Sequence, residues 1–124
     1  LRVNTLKDAS GNNSVAMEYV SGGSAKAWVR FNASSGTPTA NDSLNFSSFT
    51  DHAVGNHTIS FSSSFDNANY AFLIGASVAG TDARVAYNTN DAPATGSFRI
   101  GTVNSSFSVT DATHSSAGFI GDLA

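Results

Sequence analysis

The side chains that could do acid–base or metal chemistry are few and fall in two places. Asp51, His52 and His57 lie close together in "DHAVGNH", and Asp111 and His114 lie close together near the end of the chain. Two histidines and a carboxylate are a frequent ligand set for zinc and related metals. Neither cluster has the HxH or HExxH spacing that would aim two imidazoles at one ion. The first stretch also carries Gly55-Asn56, a turn signal, so Asp51, His52 and His57 are expected in a hairpin loop, as solvated turn residues. The chain has no Cys, which removes disulfides, thiolate nucleophiles and Cys-type zinc sites together. The expectation is no metal, no cofactor and no catalytic residue.

Other chemistries find little support. Serine is abundant everywhere, so its presence near a His and an Asp carries no information, and no G-x-S-x-G elbow occurs. A glycosidase needs two carboxylates facing each other across a cleft. Here the acids fall in turn-like contexts apart from the single glutamate, Glu18. "SGGS" at 21–24 lacks the lysine and the spacing of a phosphate loop.

Charge excludes further classes. Only 12% of the residues are charged and the net charge is −3, with no basic patch, so nucleic-acid binding by phosphate neutralisation is not expected. No apolar run approaches the roughly 20 residues that span a bilayer, so no membrane insertion is expected. No secretory signal opens the sequence, and Leu1 in place of Met reads as a trimmed start. N-x-S/T sequons occur at Asn12, Asn32, Asn41, Asn45, Asn56 and Asn104. A chain so rich in Asn, Ser and Thr generates them by chance.

The elements that must carry these residues are strands. "AKAWVRF" alternates: Ala25, Ala27, Val29 and Phe31 share one face, and Lys26, Trp28, Arg30 and Asn32 share the other. "LNFSSFT" (44–50) and "HTISFSSSF" (57–65) flank the hairpin loop. "NYAFLIGASVAG" (69–80) has no polar face, so a strand there is expected to be covered on both sides. "RVAY" (84–87), "SFRIGTV" (97–103), "SFSVT" (106–110) and "GFI" (118–120) read as further strands. Residues 32–43 read as a loop, as does "NTNDAPATG" (88–96). Residues 1–14 read as a short strand and a polar turn, and 15–24 fits either alternation or one helical turn. About eight or nine short antiparallel strands with almost no helix describe a single all-β domain, a sandwich of jelly-roll-like type.

The stretch "AKAWVRFNASSG", followed by "NDSLNFSSFTDHAVGNHTISFSSSFDNANYAFL", resembles a domain of phage virion appendages, the tail-fibre, capsid-fibre and collar-type proteins of marine phages. "GSFRIGTVNSSFSVTDATHSSAGFIGD" is similar to the closing strands of that family, and "LRVNTLKDASGNNS" to the N-terminal segment of many of its members. The resemblance covers nearly the whole chain; "VAMEYVSGG" departs from the segment usual before AKAWV. It implies a non-enzymatic, homotrimeric all-β part of a virion, with 1–14 as an N-terminal attachment segment. Its implied partners are other copies of itself, other virion proteins and a host surface glycan or protein. Its implied location is the particle surface, and it supplies no catalytic residue.

That resemblance bears on Trp28, the only Trp, which sits on the polar-looking face between Lys26 and Arg30. Two arrangements would cover it: a second chain, with Lys26, Trp28 and Arg30 as oligomer contacts, or the 15–23 segment of its own chain. Two functional readings stay open. In one the domain is a receptor-binding tip, with Asp51, His52 and His57 in one loop and Asn88, Asn90 and Asp91 in another facing the host. In the other it is a capsid decoration or a purely architectural module. A carbohydrate-binding module is a more distant alternative, with Trp28, Tyr70 or Tyr87 as stacking platforms.

Overall fold

The structure, a computed structural model, describes residues 3–80, 82–89 and 91–124. Among the described residues, ten strands and one short helix follow in chain order. They are β1 (Thr5–Lys7), β2 (Ser14–Ala16), α1 (Met17–Gly23), β3 (Ala25–Asn32), β4 (Thr39–Leu44), β5 (Phe46–Ala53), β6 (Asn56–Phe61), β7 (Ala71–Ser77), β8 (Arg84–Asn88), β9 (Ser97–Asn104) and β10 (His114–Ile120). Eight of the strands form two four-stranded antiparallel sheets, in the orders β4-β3-β10-β7 and β5-β6-β9-β8. The all-β sandwich expected from the alternation is the fold observed. Its winding differs from a jelly roll in one respect: β3–β4, β5–β6 and β8–β9 are hairpins within a sheet, where a jelly roll mostly alternates between sheets.

The period-2 pattern places the core. Ala27, Val29 and Phe31 of β3 face inward with Ala117 and Phe119 of β10. Ile59 and Phe61 of β6 meet them with Phe98 and Ile100 of β9, all nearly inaccessible. Aromatic rings fill the gap between the sheets. Phe119 lies edge-on to Phe61 at 4.9 Å and to Phe98 at 5.2 Å, and Phe31 packs on Phe49 at 4.8 Å. Such pairs add about 1 kcal/mol each beyond simple burial. Tyr70 belongs to this core. Its hydroxyl donates toward the carbonyls of Ala94 and Ser97, each at 3.1 Å, and burial pushes its pKa up to about 12.

The turn from one sheet to the other, between β4 and β5, is held by Asn45. Asn45 adopts φ 53°, a conformation Asn tolerates better than most residues, and its side chain closes a pair of bonds with the backbone of Ser63 at 2.7 and 3.0 Å. Residues 3–24 contribute no buried side chain. There β1 and β2 form a two-stranded hairpin that leads into α1. No helix among the described residues is long and apolar enough to cross a membrane.

Four expectations differ from what is found. Residues 39–44, read as loop, form β4, an edge strand whose residues are exposed except for partly buried Ala40 and which therefore carries no apolar signature. Residues 106–110, read as a strand, form a turn with one isolated bridge between Val109 and Val103, and Phe107 is 80% exposed at φ 59°. Strand β7, expected to be covered on both sides, hydrogen-bonds within its sheet to β10 alone, and its outer face is open, with Leu73 66% exposed. The 51–57 stretch is mostly strand, with β5 and β6 paired up to Ala53 and Asn56.

Candidate functional sites on the two sheets

His57 is not a solvated loop residue. It points inward from β6, in phase with Ile59 and Phe61, and is 2% exposed. Its Nδ1 lies 3.2 Å from Asp51 Oδ1, directly opposite on β5, and its Nε2 lies 3.4 Å from Asp111 Oδ1. Both contacts are within ion-pair range, and neither is aligned as a hydrogen bond. A ring with N–H on both nitrogens would face an acceptor on each side. Asp111 also accepts from the backbone N–H of Gly55 at 2.7 Å, so the cluster ties the β5–β6 turn to the segment before β10. With both nitrogens facing carboxylates and the ring 2% exposed, His57 is enclosed by its own chain rather than presented to solvent. Among the described residues no group of three or more His, Asp or Glu side chains could hold a metal ion.

Asp51 and His52 diverge, as neighbours on a strand do. Asp51 turns inward to His57. His52 turns outward and pairs with Thr58 Oγ1 at 2.9 Å. His114 contacts Thr113 Oγ1 at 3.2 Å and is remote from both in sequence and sheet.

The second expected loop is brought against the first through a residue that sequence reading did not single out. Arg99, on β9, pairs across the sheet with Thr58. Its Nε donates to Asn56 Oδ1 at 2.8 Å, and its Nη1 forms an ion pair with Asp91. Asn88 lies on β8, and its side-chain amide donates to the Arg99 carbonyl at 2.9 Å. Thr89 N–H donates to the same carbonyl at 3.3 Å. Asn90 lies outside the described residues. Asn56, Tyr87, Thr89, Asp91 and Arg99 line an open cleft of about 330 Å³ on the outer face of the β5-β6-β9-β8 sheet.

The other sheet has a different outer face. Cross-strand register puts Leu44, Trp28, Gly118 and Leu73 in one row across all four strands. Leu44 is 49% exposed, Leu73 is 66% exposed and Trp28 is half-buried between them. One row over lie Asp42, Arg30, Ser116 and Gly75. Lys26 is turned aside: its ammonium bonds the carbonyls of Ser21 and Ser24 and the Ser24 hydroxyl, tying β3 to the end of α1. No residue of α1 is buried, and the leucines flanking Trp28 stay open. Comparison of the chain with protein-family models, curated proteins and solved structures found no match.

Proposed function

We propose that the protein is a non-enzymatic structural module of a phage virion, a homotrimeric fibre or collar-type appendage displayed on the particle surface. The observation that carries this reading is the uncovered apolar row Leu44–Trp28–Gly118–Leu73. A strand such as β7, apolar on both faces, is the pattern of a strand buried on both faces. In one chain the face carrying Phe72, Ile74 and Ala76 is only partly covered and the face carrying Leu73 is open, so a further surface is needed to cover it. Trp at the centre of an apolar patch, with Arg30 at its rim, matches the composition of protein–protein interface centres. A second copy of this chain supplies the same apolar face, and the resemblance to trimeric appendages sets the number at three.

The polar cleft on the opposite sheet favours a host-contacting part over a purely architectural one. His57, being buried, drops out of the host-facing set, while His52, Asn88 and Asp91 remain at or beside that surface. Electron microscopy of intact particles tests the assignment: density for this chain in threefold copies on a tail, collar or capsid appendage is the expected result, and its absence from particles overturns it. Adsorption of particles altered at His52, Asn88 and Asp91 separates the two roles. Lost adsorption with intact assembly marks a host-contacting part, and normal adsorption marks an architectural one.

A further inference from the structure

The outer face of the β5-β6-β9-β8 sheet holds an ordered set of donors and acceptors beside an aromatic ring. Tyr87 lies across the backbone of Gly101: a methyl group on Gly101 would come within 2.4 to 2.8 Å of the ring's Cζ, Cε1 and Oη. Gly101 is thus the space in which the ring rests, and Tyr87 remains 38% exposed. Beside it, Arg99 is fixed from two sides by Asn56 and Asp91. Because Asn56 Oδ1 accepts from Arg99, its Nδ2 amide takes no part in that bond and keeps its donors. These two pairs use Asn56 Oδ1, Arg99 Nε and Nη1, and Asp91 Oδ2, so Asn56 Nδ2, Arg99 Nη2 and Asp91 Oδ1 are not engaged in them, and Thr89 Oγ1 on the wall of the same cleft is buried without a hydrogen-bond partner.

We propose that this cleft binds one neutral pyranose unit of a glycan. The chemistry fits on three counts. First, a sugar hydroxyl both donates and accepts, and the cleft offers two donors and an acceptor held by their own intramolecular pairs. Secondly, the C–H face of a pyranose packs on an aromatic face, which carries partial negative charge, and Tyr87 presents such a face without losing its hydroxyl. Thirdly, the Arg99 charge is matched by Asp91, so an anion would meet a carboxylate along with the guanidinium. That selects a neutral ligand over a phosphate, a sulfate or an acidic sugar. The cleft volume of about 330 Å³ is at the small end of ligand sites, suited to one ring rather than a long chain. This deepens the host-contacting reading, yet the site is complete within one chain, so it stands or falls separately from assembly.

The test is chemical-shift mapping of the isotope-labelled protein during titration with the neutral methyl pyranosides of glucose, galactose, mannose and N-acetylglucosamine, to about 50 mM, since single sugars on shallow sites bind in the millimolar range. Glucuronate and inorganic sulfate form the anionic arm. The expected result is saturable shifts at the amides of Tyr87, Thr89 and Arg99 with at least one neutral pyranoside. Tyr87→Ala and Asp91→Asn should each weaken it by about tenfold or more. Gly101→Ala, which evicts the ring from its resting place and leaves Asn56, Arg99 and Asp91 unchanged, should do the same. Amide dispersion in the same spectra shows that each variant is folded. Silence of all four neutral sugars overturns the proposal. So does saturation centred elsewhere on the chain, stronger binding of the anions, or undiminished binding by Tyr87→Ala.

Discussion

Gly55 is where the β5–β6 turn is clamped to the rest of the sandwich, and replacing it with alanine should be among the most damaging small changes available. Gly55 has φ +64°, in the left-handed region. A Cβ there would lie 2.6 Å from the Thr102 carbonyl oxygen, 2.7 Å from that of Thr110 and 2.9 Å from the Thr110 nitrogen. All three are backbone atoms, and they are fixed by bonds of their own: Thr102 N–H donates to the Gly55 carbonyl at 2.9 Å and Thr110 N–H to the Thr102 carbonyl at 3.1 Å. The left-handed backbone costs a non-glycine residue about 1 kcal/mol. Forcing the clamp open adds about 2–3 kcal/mol, the upper range of overpacking penalties. The total of about 3–4 kcal/mol is a large fraction of a typical domain stability. It corresponds to a fall in Tm of roughly 10–20 °C. Gly36 is the control. It has φ +94° with no atom near its missing Cβ, so Gly36→Ala should show the backbone term alone, about 1 kcal/mol. Urea denaturation and thermal melts of both variants measure the difference. Equal losses would refute the clamp.

Other outcomes follow from the same geometry. Stability should fall as pH rises from 10 to about 12, because Tyr70 keeps its proton in the folded state after the unfolded chain has lost it. The contribution is intact below pH 10, is about 2 kcal/mol in size, and should be reduced in Tyr70→Phe when denaturation is followed against pH. His57→Ala should cost about 3 kcal/mol, since it leaves the Asp51 and Asp111 carboxylates facing a cavity, whereas His52→Ala on the outer face should cost less than about 0.5 kcal/mol in the same melts. Trp28→Ala should weaken assembly by about 2 kcal/mol or more, read as a shift in the concentration at which the oligomer dissociates.

What was legible in the sequence is what a single strand reports about itself. The alternation through Ala27, Val29 and Phe31 gave the inner face of β3 directly, because a period of two has only one way to bury its apolar set. What was hidden depends on other strands. "TANDSL" forms β4 by pairing alone, with little to bury. Phe107 and Val109 alternate as a strand would, yet the chain turns there and leaves both exposed. The polar run around Gly55 reads as loop, but the pairing of Asp51 with His57 extends the ladder through it, and burial of His57 depends on Asp111, far along the chain. Arg99 had no signal of its own within "SFRIG"; only the sheet register places it between Asn56 and Asp91. Leu73 reads as buried from the apolar run around it, and the open outer face of its sheet leaves it 66% exposed in the single chain.

The most direct test of the assembly reading is multi-angle light scattering on the purified protein, paired with Leu73→Asp. Leu73 is 66% exposed in the single chain, so the change costs the folded monomer little. In an assembly it places a carboxylate in each copy of an apolar interface and forfeits about 1–2 kcal/mol of burial per copy, two thirds of the value of a fully buried leucine, before the added cost of the charge. The account predicts three chains per particle for the natural sequence at micromolar concentration and a folded monomer for Leu73→Asp. A natural sequence that runs as a clean monomer, or a Leu73→Asp protein that remains a trimer, would contradict it.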